Sequence, residues 1–250
     1  MLTKNQLTLL NNLVYKIHTT ADLTEMRQTC LETLSLLIDC DMSTFELAAE
    51  SNSCQVTDPV GLGTNEEEMQ YYLDNVQEYD YGRWTYSASS GGVYRETDFM
   101  DDAERINTPY YKKFFKPSGI HYSIMLTIIR NQNFYGVLAL FRSENKPDFS
   151  DRDLFILNLL QDHLGYRLEL EKNGGSVGVH LEQFVDSLSD RYNLTRREKE
   201  ITGLLLQGSS QHDISDTLSI TSNTLKKHIS NIYKKTGVRS WRELFSLIYR

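Results

Sequence analysis

Thr221-Ser222-Asn223-Thr224-Leu225-Lys226-Lys227-His228-Ile229-Ser230-Asn231-Ile232-Tyr233-Lys234-Lys235-Thr236-Gly237 is the stretch on which the fold of this chain turns. Leu225, Ile229, Ile232 and Tyr233 recur at helical spacing and fall on one face. Thr221 supplies a helix start and Gly237 a stop. Asn223, Lys226, Lys227, Ser230 and Lys234 must then face outward. Such a stripe combines cations suited to phosphates with small polar side chains that tolerate close approach to base edges. A plain solvated face has the same spacing, and spacing alone leaves both readings open.

The surrounding residues form a set of short helices. Upstream, Thr195-x-x-Glu198 is a capping box, followed by Ile201, Leu204 and Leu205 on one face and Gly208 at the end. Ser210 and Asp213 open a second helix carrying Ile214 and Leu218. Downstream, Ser240-x-x-Glu243 opens a fourth, with Trp241, Leu244, Phe245 and Ile248 on its apolar face. Helices this short, each with one apolar face, must pack as a bundle. One short turn joins the second to the third, the spacing of a helix-turn-helix.

Charge separates this end from the rest. The 250 residues sum to −8, yet the stretch from Thr221 onward holds 7 basic residues and 1 acidic. Residues 180–250 come to +3 and residues 1–179 to −11, so a polyanion would meet attraction at one end and repulsion at the other. Asn173-Gly174-Gly175-Ser176-Val177-Gly178 reads as the connector. No apolar run approaches the ~20 residues of a membrane span. The start lacks an export signal, and Cys30, Cys40 and Cys54 make no CxxC pair, which suits a reducing cytoplasm.

Upstream of the connector, helices are expected over Thr3–His18, with Leu7, Leu10, Val14 and Ile17 inward, and over Asp22–Asp39. A strand pattern covers Ser43–Ala49. The runs Ile120–Arg130 and Phe134–Arg142 read as a hairpin across Asn131-Gln132-Asn133. A closing helix, Ser150–Lys172, starts at Ser150-x-x-Asp153. Helices around an antiparallel sheet make an α+β domain. Residues 71–122 hold nine of the fifteen tyrosines, a composition that suits a core, a dimer surface or a pocket wall. Trp84 and Tyr86, beside Gly82, are the first candidates for lining a pocket. No GxxxxGK[ST] loop, HExxH pair or catalytic constellation is present, so neither enzyme activity, metal nor cofactor is expected.

Leu194-Thr195-Arg196-Arg197-Glu198-Lys199-Glu200-Ile201, Leu218-Ser219-Ile220-Thr221, Thr224 to Lys235 and Gly237-Val238-Arg239-Ser240 resemble the LuxR/FixJ helix-turn-helix family with its spacing ungapped. The resemblance implies that the third helix enters the major groove of double-stranded DNA. Lys226, Lys227 and Ser230 would then contact bases, Thr224, His228 and Lys234 would be backbone or supporting positions, and Asn223 and Lys235 complete the expected DNA-binding set. It also implies a homodimer contact through Trp241, Leu244, Phe245 and Ile248, a surface that serves equally as intradomain core. Four lysines per copy, 226, 227, 234 and 235, would give a dimer a salt slope of about −7. Ser219 departs from the family, which often has glycine or asparagine at this turn.

Tyr135-Gly136-Val137-Leu138-Ala139-Leu140 and Pro147-Asp148-Phe149-Ser150-x-x-Asp153-Leu154 resemble the last strand and final helix of GAF domains, small-molecule-sensing relatives of PAS domains. The expected architecture is therefore α+β. A GAF/PAS-like α/β/α sensory domain spans 1–172, a linker and lead-in helix 173–189, and a four-helix LuxR-type helix-turn-helix domain 190–250. The expected function is a bacterial, cytoplasmic transcription regulator controlled by an unidentified small molecule. Its partners would be DNA, a second copy and RNA polymerase, with no membrane. The alternative is an N-terminal domain that only dimerises or docks a protein.

Overall fold

The computed structural model describes residues 2–49, 54–174, 177–207, 209–240 and 243–244, and for 177–183 the backbone alone. The chain forms two compact units, one of Met1–His18 with Asp22–Asn173 and one drawn chiefly from Gly174–Arg250.

The first unit runs α1 (Lys4–Thr19), α2 (Leu23–Leu37), β1 (Met42–Ala48), β2 (Val56–Leu62), α3 (Glu66–Asn75), β3 (Gly92–Arg95), α4 (Asp102–Arg105), β4 (Tyr122–Arg130), β5 (Asn133–Arg142), α5 (Asp151–Asn158) and α6 (Gln161–Lys172). Short 3-10 segments at Gln77–Tyr79 and Tyr81–Ser87 and a π-turn at Tyr111–Phe115 fill the connections. The sheet order is β2-β1-β5-β4-β3, antiparallel throughout. Successive strand residues point to opposite faces, and both faces here are covered. Phe45, Ile124, Leu126, Leu138 and Leu140 meet α1, α2, α5 and α6 in one core. Met42, Met125, Val137, Ala139 and Phe141 meet the aromatic segment 72–115 in another. The unit is a three-layer α/β/α domain.

The hairpin is tighter than the sequence implies. Asn133 pairs with Arg130, leaving a two-residue turn in which Asn131 (φ 49°) and Gln132 (φ 60°) are both left-handed, the geometry that matches strand twist. On α1 the inward stripe is Leu10, Leu13 and Ile17, while Leu7 is 52% exposed. The expected closing helix is two helices. Its first turn is capped as predicted, with the Asp153 carboxylate accepting from both Ser150 N–H and Oγ–H at 2.9 Å. Strand β2, which the sequence did not suggest, lies at the sheet edge, where Pro59 costs no ladder bond. A register shift opposite Phe45–Leu47 accommodates Asp58 at φ 47°. The fully buried Arg27 guanidinium bonds the Phe45 and Asp58 carbonyls and the Asp58 carboxylate, pinning that bulge to α2.

The second unit contains α7 (Val177–Tyr192), α8 (Arg196–Leu206), α9 (Gln211–Thr217) and α10 (Ser222–Thr236). Thr195, Ser210 and Thr221 cap α8, α9 and α10 by accepting the backbone N–H three residues on. Of the expected fourth helix, Glu243 and Leu244 alone are helical among the described residues, with the Glu243 N–H on Ser240 Oγ. No helix among the described residues is long and apolar enough to cross a membrane.

Candidate functional site

Ile214, Leu225, Ile229 and Ile232 bury against Val185, Ile201, Leu206 and Leu244. This fixes the rotation of α10, leaving Asn223, Thr224, Lys226, Lys227, Ser230, Lys234 and Lys235 exposed and His228 half-buried. The α9–α10 turn is closed by Leu218 N–H to the Ile214 carbonyl and Ile220 N–H to the Ser215 carbonyl, both 3.0 Å. Ser219 takes a left-handed conformation there, φ 50°. From α8, Arg197 donates to the Leu218 carbonyl while pairing with Glu200. Three helices thus hold one exposed helix face in place.

Within that face the lysines differ. Lys226, Lys227 and Lys234 make no ion pair among the described residues. Lys235 instead lies 2.6 Å from the Glu198 carboxylate and 2.9 Å from the Asn193 carbonyl. Burial would raise the Glu198 pKa, but hydrogen bonds from Lys235 and Thr195 outweigh it and hold the carboxyl below its ordinary value. Lys235 is therefore engaged inside its own unit, joining α10 to the start of α8. Of the expected dimer contacts, Leu244 is fully buried in the unit's own core, because its apolar side chain completes the cluster around Ile201 and Ile232. Trp241, Phe245 and Ile248 lie outside the described residues.

In the first unit, one face of the sheet holds a cavity. It is partly open to solvent. Met42, Thr44 and Glu46 of β1 and Val137, Ala139 and Phe141 of β5 form its floor, alternate residues on paired strands. Tyr72, Tyr110 and Phe114 form a linked aromatic wall, with ring centroids 5.1 to 6.5 Å apart. Tyr86 also lines the cavity. Trp84 does not. It is 57% exposed and packs on Tyr94 and Phe99.

Two buried carboxylates face this space. Asp80 accepts from Tyr72 Oη–H at 2.9 Å and Gly82 N–H at 2.8 Å. Glu46 stands on β1, between β2 and β5. Burial pushes Glu46 up to about 7, against hydrogen bonding from Thr44, and the charge of Asp80 adds to the rise. Burial likewise raises Asp80, opposed by its bonds to Tyr72 and Gly82. Tyr72, Tyr86 and Tyr110 are all pushed upward by burial and by Asp80, so they remain neutral hydroxyls. Gly82 has no room for a Cβ, which would fall 2.7 Å from Met125 Cε and 3.1 Å from Asp80 Oδ1.

Sequence reasoning placed Glu46 on a strand without noting its consequence. A carboxylate among Met42, Thr44, Val137 and Ala139 on a doubly covered sheet is the signal that marks the site. Asp80 carried no such signal, because it lies in an irregular segment. A separate buried network joins Arg105 to Glu96 at 3.0 Å, Asp102 at 2.6 Å and the His121 carbonyl at 2.6 Å. It sets one guanidinium against two carboxylates and ties α4 to the start of β4. Among the described residues no three His, Cys, Asp or Glu side chains are placed to hold a metal ion.

Residues 192–248 match the bacterial regulatory proteins of the luxR family. The chain is 25% identical over 219 residues to the monoamine regulon transcriptional regulator of Klebsiella aerogenes, covering 87% of each. It is 43% identical over 56 residues to the CsgBAC operon transcriptional regulatory protein of Escherichia coli K12, 20% of this chain and 26% of that one. The first unit is similar in fold to the GAF domain of an Acinetobacter phosphoenolpyruvate-protein phosphotransferase. The TM-score is 0.53 at 14% identity, over 70% of this chain and 99% of that one.

Proposed function

We propose that this chain, a regulator of the LuxR type by its C-terminal domain, reads DNA sequence through α10 and is controlled by a small molecule held in its GAF-like unit. The observation that carries the DNA-binding reading is the exposed face of α10, where Lys226, Lys227 and Lys234 make no ion pair among the described residues and stand beside Asn223 and Ser230 on a helix fixed by three others. A homodimer would present two such faces to a two-fold operator, and RNA polymerase is the further protein partner of such a regulator. The cavity favours ligand control over a unit that only docks protein, since a packed docking domain has no need of buried carboxylates beside unfilled space.

The test has two arms. Selection of a binding site from random duplexes, followed by Lys227→Ala, should cost about 1–3 kcal/mol on the selected site and much less on random DNA. Equal losses on both would reduce Lys227 to a phosphate contact, and failure to select any sequence would overturn DNA reading. For the first unit, native mass measurement of the purified chain should reveal a retained small molecule.

A further inference from the structure

We infer that the N-terminal cavity is a receptor site for an organic ammonium ion with a compact apolar or aromatic body, held by Glu46 and Asp80 among tyrosine and phenylalanine rings. The inference rests on the cavity being a ligand pocket.

Glu46, Glu68 and Asp80 line the cavity, and among the described residues no lysine, arginine or histidine does. Glu68 stands exposed, engaged with Thr64 and Asn65 at the start of α3. Glu46 and Asp80 are 8% and 7% exposed, and neither shares an ion pair among the described residues. The cations nearest them are spent elsewhere. Arg27 is paired with Asp58, and Arg83, bonded to the Cys54 and Gln77 carbonyls, acts on Asp80 at a distance without forming an ion pair with it. Two buried carboxylates without a counter-ion are costly, and a positive group entering between them is the partner their position calls for.

The walls suit the same guest. The π-faces of tyrosine and phenylalanine attract a cation within ~6 Å of the ring centre, most strongly where water is excluded. Tyr72, Tyr110, Phe114 and Phe141 supply such faces, and Met42, Met69 and Met125 supply adaptable apolar surface for the rest of the molecule. The groups facing Glu46 are Asp80, Tyr72, Tyr86 and Tyr110, with Arg27 acting from α2 and Arg83 acting on Asp80. Burial lifts both acids and the charge of Asp80 lifts Glu46 further, so a bound cation relieves the cost of burying them. An anionic ligand would meet repulsion, and a neutral one would leave both carboxylates unpaired.

Calorimetry on the full chain tests this with three probes of one shape: phenethylammonium, its N-acetyl amide and 3-phenylpropionate. The ammonium should bind at least tenfold more tightly than either of the others. Glu46→Gln should weaken it at least tenfold while raising the unfolding temperature, because a buried charge without a partner has been removed. Asp80→Asn should weaken it as well, and if that variant unfolds, Glu46→Gln still decides. Tighter binding of the amide or the carboxylate, or ammonium affinity unchanged in Glu46→Gln, overturns the inference. So does a retained molecule that native mass identifies as neutral or anionic, although ligand control then stands. Failure of all three probes together with an empty native mass overturns both.

Discussion

Lys234 and Lys235 adjoin in sequence yet serve different ends. Lys235 neutralises Glu198, whose side chain is 4% exposed, while Lys234 makes no ion pair among the described residues. Lys235→Ala should therefore destabilise the C-terminal unit by about 1–3 kcal/mol, the cost of a buried acceptor that loses its partner. The salt slope of DNA binding should stay as it was. Lys234→Ala should do the reverse, and urea denaturation paired with salt titration separates the two. A changed slope at unchanged stability would return Lys235 to the DNA surface. Ser219 offers a test of opposite sign. Held at φ 50°, it suffers a steric cost that glycine escapes. Ser219→Gly should stabilise the unit by about 0.5 kcal/mol, read as a higher thermal midpoint, since glycine's greater chain entropy offsets part of the gain.

At the scale of elements, α10 joins a buried stripe to a cationic face, and both can be counted. With Lys235 occupied, each copy offers three free lysines to phosphates and a dimer six. The slope of log K against log salt should then be about −5, and a value shallower than about −2 would sink the cationic footprint. The helix ends in Gly237 at φ 73°, whose N–H caps the Tyr233 carbonyl. Gly237→Ala should cost about 1 kcal/mol in urea denaturation, because a Cβ is disfavoured there. The caps of α8, α9 and α10 were legible because a helix cap is a local bargain between residues three apart. Strand β2 was not, since Asp58-Pro59 and Gly61-Leu62-Gly63 look like loop until an edge position and the Arg27 clamp make them a strand.

For the whole molecule, the two units respond to pH in opposite directions. Glu198, held below its ordinary value, lends the C-terminal unit stability that is present above pH 4.5 and lost as pH falls through its folded pKa. Glu46, lifted from 4.5 to about 7, takes stability from the N-terminal unit as pH rises between those values. The loss is on the order of 2–3 kcal/mol. Glu96, also raised to about 7 by burial, acts in the same direction despite Arg105. Hydrogen exchange followed residue by residue should show amides of β1 and β5 losing protection between pH 4.5 and 7, while those of α8 and α10 keep theirs there and lose it as pH falls below 4.5. Glu46→Gln should flatten the first trend. Parallel trends in both units would contradict the assignment.

The sequence by itself determined the helix-turn-helix, because caps, apolar stripes and the outward lysines are encoded within a few residues of one another. It also determined the hairpin and the α+β class through strand alternation and helical period, while the α/β/α layering was implied by the resemblance to GAF domains. Only the tertiary structure decided which lysine is free, because Glu198 lies 37 residues from Lys235 in the chain. Only it decided where the aromatic segment 71–122 goes, and that Tyr86 faces the cavity while Trp84 faces outward. Irregular chain has no period from which to read a face. The pairing of Glu46 with Asp80 across one cavity follows from sheet order, which brings a strand and a distant 3-10 segment together by packing alone.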